Sequence, residues 1–112
     1  MAVNPVAGDN LVEIGPGQGA ITFPLLRKHP RLTVIEFDRD LIAPLAAAAA
    51  PLGELTIIHR DVLQVDFSAL AEPGRKIRLV GNLPYNISSP ILFHALDHAG
   101  AVVDMHFMLQ KE

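Results

Sequence analysis

The chain has no cysteine and no tryptophan among its 112 residues. The first absence excludes disulfide staples and thiolate metal centres, and it suits a reducing, cytoplasmic setting. Positive charge is scarce: 9 Lys and Arg stand against 12 Asp and Glu, a formal net charge of −3. That excludes a broad electrostatic footprint for nucleic acid within this chain, so RNA-binding charge, if needed, is expected elsewhere. Long apolar runs are missing too. Charges, prolines and glycines interrupt each candidate before it reaches the ~20 residues that span a bilayer. No basic start precedes an apolar block and a cleavage site, so neither a secretory leader nor a membrane partner is expected.

What is present is a large apolar fraction, half of all residues, enough for one domain over residues 1–112 with a real core. Its apolar residues fall in short runs: Leu11 to Ile14 (interrupted by Glu13), Leu32 to Ile35, Leu55 to Ile58, Ile77 to Val80 and Met105 to Leu109. They show little polar/apolar alternation, which suits strands of a parallel sheet covered on both faces. Helical patterns lie between them. Gly19 to His29 carries Ile21, Phe23, Leu25 and Leu26. Asp38 or Asp40 can cap a second helix, with Pro44 in its first turn or at a kink, and its run Ala46 to Ala50 is expected to pack on the sheet. Asp66 to Leu70 suits a short helical turn, and Glu72 to Lys76 a polar loop. Ser88 or Ser89 can cap a last helix with Pro90 at its first position, running to Gly100. Strand and helix in alternation predict a doubly wound α/β sheet of about five strands.

Three features at predicted strand ends carry chemistry. "EIGPGQGA" follows the first strand and opens the first helix. Gly15 and Gly17 let a ligand approach the main chain and the helix N-terminus. With Ala20 they satisfy the looser dinucleotide fingerprint, a weak signal alone. Glu36 ends the second strand about 20 residues on, where a carboxylate can accept from both hydroxyls of a ribose. It fits NAD or S-adenosylmethionine equally. Asp61 ends the third strand in "HRDVLQVDF", placed to accept from an adenine amino group, and Val62 can pack on the ring.

The fourth strand end is the most specific. In "VGNLPYNISSP", Asn82 offers an acceptor and a donor. Pro84 fixes its own φ and biases Leu83 toward an extended conformation, which aims the Leu83 carbonyl. Turn chemistry does not require Tyr85; a flat face for stacking a base does. Together they describe a clamp for a planar base with an exocyclic amino group.

"EIGPGQGAIT", "VIEFDRD", "HRDVLQVDF" and "GNLPYNIS" resemble, in order and spacing, the motifs of the ribosomal RNA adenine N6-dimethyltransferases, most closely the bacterial small-subunit (16S) branch. The resemblance implies a Rossmann-like, S-adenosylmethionine-dependent methyltransferase core with a mostly parallel sheet. It implies dimethylation of two adjacent adenosines in 16S rRNA of the pre-30S subunit. Glu13 and the loop containing Gly15 and Gly17 would line the methionine end of S-adenosylmethionine, and Glu36 would hold the ribose. Asp61 and the Val62 backbone would read the cofactor adenine. Asn82 would lie between cofactor and substrate. Asn82 and Leu83 would accept from the target N6 hydrogens, with Pro84 setting direction and Tyr85 stacking. The family also has an N-terminal lid, further strands and a helical C-terminal domain that this sequence lacks. A partial methyltransferase domain is therefore expected, itself inactive and able to self-associate through its last strand.

Two rivals use the same scaffold: an NAD-binding oxidoreductase domain and a non-enzymatic binding fragment. The first leaves Asp61 and Asn-Leu-Pro-Tyr unexplained; the second predicts no cofactor binding. No metal site is expected. His94 and His98 are four apart but lack a third ligand, so they read as a surface helix face. Arg75, Lys76 and Arg78 read as a solvated basic loop.

Overall fold

A computed structural model describes residues 10–16, 19, 21–29, 31–70 and 77–110, with side chains for all of these except 82–88, 99, 103 and 106–110. The strands are β1 (Asn10–Ile14), β2 (Arg31–Glu36), β3 (Glu54–His59), β4 (Ile77–Pro84) and β5 (Val102–Gln110). The helices are α1 (Thr22–Lys28), α2 (Arg39–Ala49), α3 (Phe67–Leu70) and α4 (Tyr85–Asp97), with 3₁₀ turns at Val62–Gln64 and Ala99–Ala101. All five strands pair in parallel in the order β3-β2-β1-β4-β5. The order reverses between β1 and β4, which opens a crevice at the carboxyl ends of those two central strands.

Side-chain alternation sorts the sheet into two cores. On one face Leu11, Leu32, Val34 and Val80 meet Leu25 and Leu26 of α1 and Leu45 and Ala49 of α2. On the other, Val12, Ile14, Ile35, Ile77 and Leu79 meet Val65, Phe67, Ile91 and Ala95. Both faces being covered is why the strands read as apolar runs. The edge strands differ: β3 has no fully buried residue, and the described side chains of β5 (Val102, Asp104 and Met105) are half-buried.

Several expectations need correction. The alanine run is not a packed face: Ala49 is buried, but Ala46, Ala47, Ala48 and Ala50 are exposed. Helical periodicity turns only Leu45 and Ala49, one turn apart, toward the sheet. Asp38, not Asp40, caps α2, its carboxylate accepting from the Asp40 N–H at 2.9 Å. Pro44 lies in the second turn of α2. α4 begins at Tyr85, so Ser88 and Ser89 are inside it and Pro90 is not its first residue. β4 continues past Val80 to Pro84 because β5 is long enough to pair with it there, Asn82 opposite Met108 and Pro84 opposite Gln110. Arg78 is not in a loop. It sits half-buried in β4 and donates from Nε and Nη2 to Asp104 of β5 at 3.0–3.2 Å. Arg75, Lys76 and the polar loop lie outside the described residues. Asp66 to Leu70 does form a helical turn, with Asp66 accepting from the Ser68 N–H at 2.9 Å.

His94 and His98 are half-buried rather than surface residues. They flank Phe67 edge-on, at centroid distances of 5.0 and 5.4 Å. His94 Nε2 donates to the Val65 carbonyl at 2.7 Å and His98 Nδ1 to the His94 carbonyl at 3.0 Å. These contacts tie α4 to the segment after β3. Among the described residues no cluster of His, Asp and Glu could hold a metal.

Candidate active site

The carboxyl ends of the first three strands are stitched together by backbone hydrogen bonds. The Gly15 N–H donates to the Ile35 carbonyl at 2.9 Å and the Arg60 N–H to the Glu36 carbonyl at 3.1 Å. His59 Nε2 donates to the Phe37 carbonyl at 3.2 Å. Gly15 has φ +64°, a backbone geometry glycine adopts without strain, and a Cβ there would meet nothing within 4 Å. The main chain therefore presents an open cradle where β1 ends. Gly17 lies outside the described residues. Gly19 closes the turn, donating to the Pro16 carbonyl at 2.9 Å, and accepts from Phe23 as α1 starts.

Two carboxylates stand beside this turn on the α1/α2 face. Glu13 is fully buried in β1, in register with Val34 and Val80. Thr22, at the start of α1, donates to its Oε1 at 2.5 Å. Burial raises its pKa from 4.5 to about 7. The Thr22 hydroxyl opposes that rise and the neighbouring charge of Glu36 adds to it. Glu36 is itself buried at the end of β2, and its Oε2 accepts from the Asp38 N–H at 2.9 Å. Asp61 lies two residues beyond the end of β3 rather than at its end. It caps the following 3₁₀ turn, accepting from the Leu63 N–H at 3.0 Å. Val62 begins that turn and packs half-buried against the core. Asp61 thus has a structural job as well as a position at the cleft.

β4 supplies the fourth component. Its last pairing with β1 is Gly81 opposite Ile14. Asn82, Leu83 and Pro84 continue beyond β1, paired only with β5, alongside the place where the Gly15 turn leaves the sheet. The structure thus brings the backbone of the Asn-Leu-Pro-Tyr motif to the same edge as Glu13, Gly15, Glu36 and Asp61. The side chains of Asn82 and Tyr85 lie outside the described residues.

Sequence reasoning missed two residues. Thr22 reads as an ordinary helix residue; its role becomes visible only when α1 folds onto β1 and meets Glu13. Phe37 is 68% exposed at the edge between Glu36 and Asp61. A large aromatic directly after a ribose-type carboxylate was the available signal, since such rings stack on planar groups.

The donor set suits a cationic nucleoside. Glu36 can accept from ribose hydroxyls in either cofactor, but Glu13, a buried acid beside the glycine turn, suits a cation there better than the diphosphate of NAD.

Comparison with known proteins agrees. The profile of the family described as ribosomal RNA adenine dimethylase matches residues 1–112. The Ribosomal RNA small subunit methyltransferase A of Xanthomonas axonopodis pv. citri (strain 306) is 83% identical over 111 residues, 99% of this chain and 42% of the relative. That of Xanthomonas campestris pv. campestris (strain 8004) is 82% identical over the same shares. The chain therefore spans less than half the length of these relatives. Among solved structures, the 23S rRNA methyltransferase ErmE superposes with a TM-score of 0.73 at 25% identity, over 89% of this chain and 38% of that one. A dimethyladenosine transferase from Plasmodium falciparum gives 0.69 at 26% identity, over 90% and 35%.

Proposed function

Because the chain belongs to the ribosomal RNA adenine dimethylase family, we propose that the whole protein transfers methyl groups from S-adenosylmethionine to N6 of adenine in small-subunit ribosomal RNA. Two adjacent adenosines of 16S rRNA in the pre-30S particle are the proposed targets, and the cytoplasm the proposed location. One observation carries this reading: β4 extends past its last pairing with β1 and so sets Asn-Leu-Pro-Tyr beside the glycine turn and its carboxylates. The oxidoreductase reading leaves that juxtaposition unexplained, and the adapter reading leaves the buried carboxylate beside the glycine turn unexplained.

When bound, the cofactor supplies a methyl group on a sulfonium, already a good leaving group. Glu36 accepts from the ribose hydroxyls, Asp61 and the Val62 backbone read the adenine, and Glu13 with Gly15 and Gly17 lines the methionine end. The target adenine leaves its stack to reach the cleft. Stacking on Tyr85 contributes ~1–3 kcal/mol toward holding it there. The N6 lone pair is delocalised into the ring and becomes nucleophilic only as the nitrogen pyramidalises. Acceptors at Asn82 and at the Leu83 carbonyl, aimed by Pro84, favour that geometry by binding the amino hydrogens more strongly in the transition state. Holding nitrogen and methyl carbon in line is the main task, worth up to ~7–11 kcal/mol. No side-chain base is needed if the proton leaves after transfer.

The 112-residue chain is proposed to be a partial methyltransferase domain, inactive alone, with its RNA-binding charge supplied by the rest of the protein. The test is Asn82→Ala in the whole protein, assayed by methyl transfer to unmethylated small subunits. Transfer is expected to fall below detection while the fold is kept. Retained turnover would refute the assignment.

A further inference from the structure

Glu13 is an unusual choice for the interior of a central strand. It is 1% exposed, with the uncharged Val34 and Val80 on either side. Among the described residues its one hydrogen-bond donor is the Thr22 hydroxyl of α1, and no cation pairs with it. The charged group that faces it is Glu36 at the end of β2, another acid. Of the nearby titratable groups, His29 precedes β2 at the opposite edge of the sheet, and His59 ends β3, two strands away. A buried carboxylate with a single neutral donor and a like-charged neighbour is costly to ionise. Such a group is an incomplete ion pair: burial favours its protonated form, and a cation would favour the carboxylate.

We propose that Glu13, positioned by Thr22, is a proton-coupled anchor for a cationic group at the methionine end of the cofactor, so that binding releases a proton from the Glu13 carboxyl. The proposal rests on the cofactor reading above. Two cations are available there, the sulfonium and the α-ammonium. Either would favour the carboxylate and shift the proton to solvent. The raised pKa of the cofactor-free fold, about 7, sets the window. Below it binding must expel a proton; above it the carboxylate is already formed. Affinity for the cation therefore rises with pH and levels off above neutrality. A carboxyl half-protonated near about pH 7 predicts a Kd about tenfold tighter at about pH 8 than at about pH 6.

The experiment is calorimetry on the whole protein with S-adenosylmethionine and S-adenosylhomocysteine, across pH and in buffers of different ionisation enthalpy. Proton release with the tenfold pH slope is expected for S-adenosylmethionine. The same slope for S-adenosylhomocysteine, which keeps the ammonium but not the sulfonium, assigns the ammonium as partner. A slope for S-adenosylmethionine alone assigns the sulfonium. Glu13→Gln should remove the slope and hold affinity at its weak, low-pH level. Thr22→Val should move the midpoint to higher pH by removing the donor that favours the charged form, and Thr22→Ser should restore it. Binding of both ligands without pH dependence overturns the proposal and leaves the methyltransferase reading standing. Binding of neither overturns both. Carboxyl carbon NMR of the cofactor-free protein is an independent check: Glu13 titrating in the ordinary carboxylate range would refute the proposal.

Discussion

The buried carboxyl of Glu13 makes a prediction about stability that needs no ligand. In the unfolded chain it titrates near 4.5; in the fold, at about 7. Between those values the native state keeps a proton that the unfolded state has lost. The unfolded state then binds fewer protons, and stability falls as pH rises. The contribution is complete below about pH 4.5, declines up to about pH 7 and is flat above. At 1.36 kcal/mol for each tenfold change in proton activity, the full loss is about 3 kcal/mol. Glu13→Gln keeps an oxygen to accept from Thr22 and cannot ionise. The variant should match the wild type near about pH 4 and exceed it by about 3 kcal/mol near about pH 8, on the order of 10 °C in Tm for a chain of this size. Thermal or urea melts of both proteins at several pH values measure the gap directly. A gap independent of pH, or a variant less stable than the wild type above neutrality, would refute the reasoning. The expected result also says why the residue is there. At neutral pH the fold would be more stable with glutamine at this position, as expected of a residue kept for binding rather than for stability.

Much of the site is legible in the sequence because its signals are local. Gly15 and Glu36 mark strand ends through residue type and spacing, and the sheet's two-sided burial turns each strand into a readable apolar run. What escapes depends on pairing between distant segments. Gly81, Asn82 and Pro84 look like turn residues, so the sequence predicts that β4 stops at Val80. It continues because β5 offers a partner as far as Gln110; pairing with β1 has ended at Gly81, so Pro84 lies where β4 has an edge, which tolerates a missing N–H. α4 starts at Tyr85, ahead of the Ser-Ser-Pro that resembles a cap and first turn, because the strand runs straight into it. Arg78 reads as loop charge until β5 brings Asp104 opposite. Asp61 stands out in the sequence as an acid near a strand end, yet the structure adds a cap that the sequence does not announce. His94 and His98 lose their surface reading to Phe67, which precedes them by more than 20 residues.

Two further outcomes follow from backbone geometry. β5 stands at one edge of the sheet, and an unprotected edge strand templates pairing with another copy. Light scattering of the isolated chain should show mass rising with concentration, and a monomer at high concentration would count against it. The second concerns the glycine turn. Gly15 and Gly19 both have positive φ, +64° and +95°. Alanine at either therefore costs about 1–2 kcal/mol in backbone strain. The sites differ in what the new methyl meets. At Gly15 there is open space; at Gly19 the Phe23 ring lies 2.3–2.8 Å away. That ring is half-buried against the α1/α2 core, so moving it forfeits packing, typically ~1–3 kcal/mol for an overpacked site. Gly19→Ala should thus be the more damaging, and Phe23→Leu should relieve it: in that background its cost should fall toward that of Gly15→Ala. The double-mutant cycle isolates the collision from the strain, because the strain is unchanged by what occupies position 23. Equal costs at the two glycines, or no rescue by Phe23→Leu, would show that the Phe23 ring does not set the close of this turn.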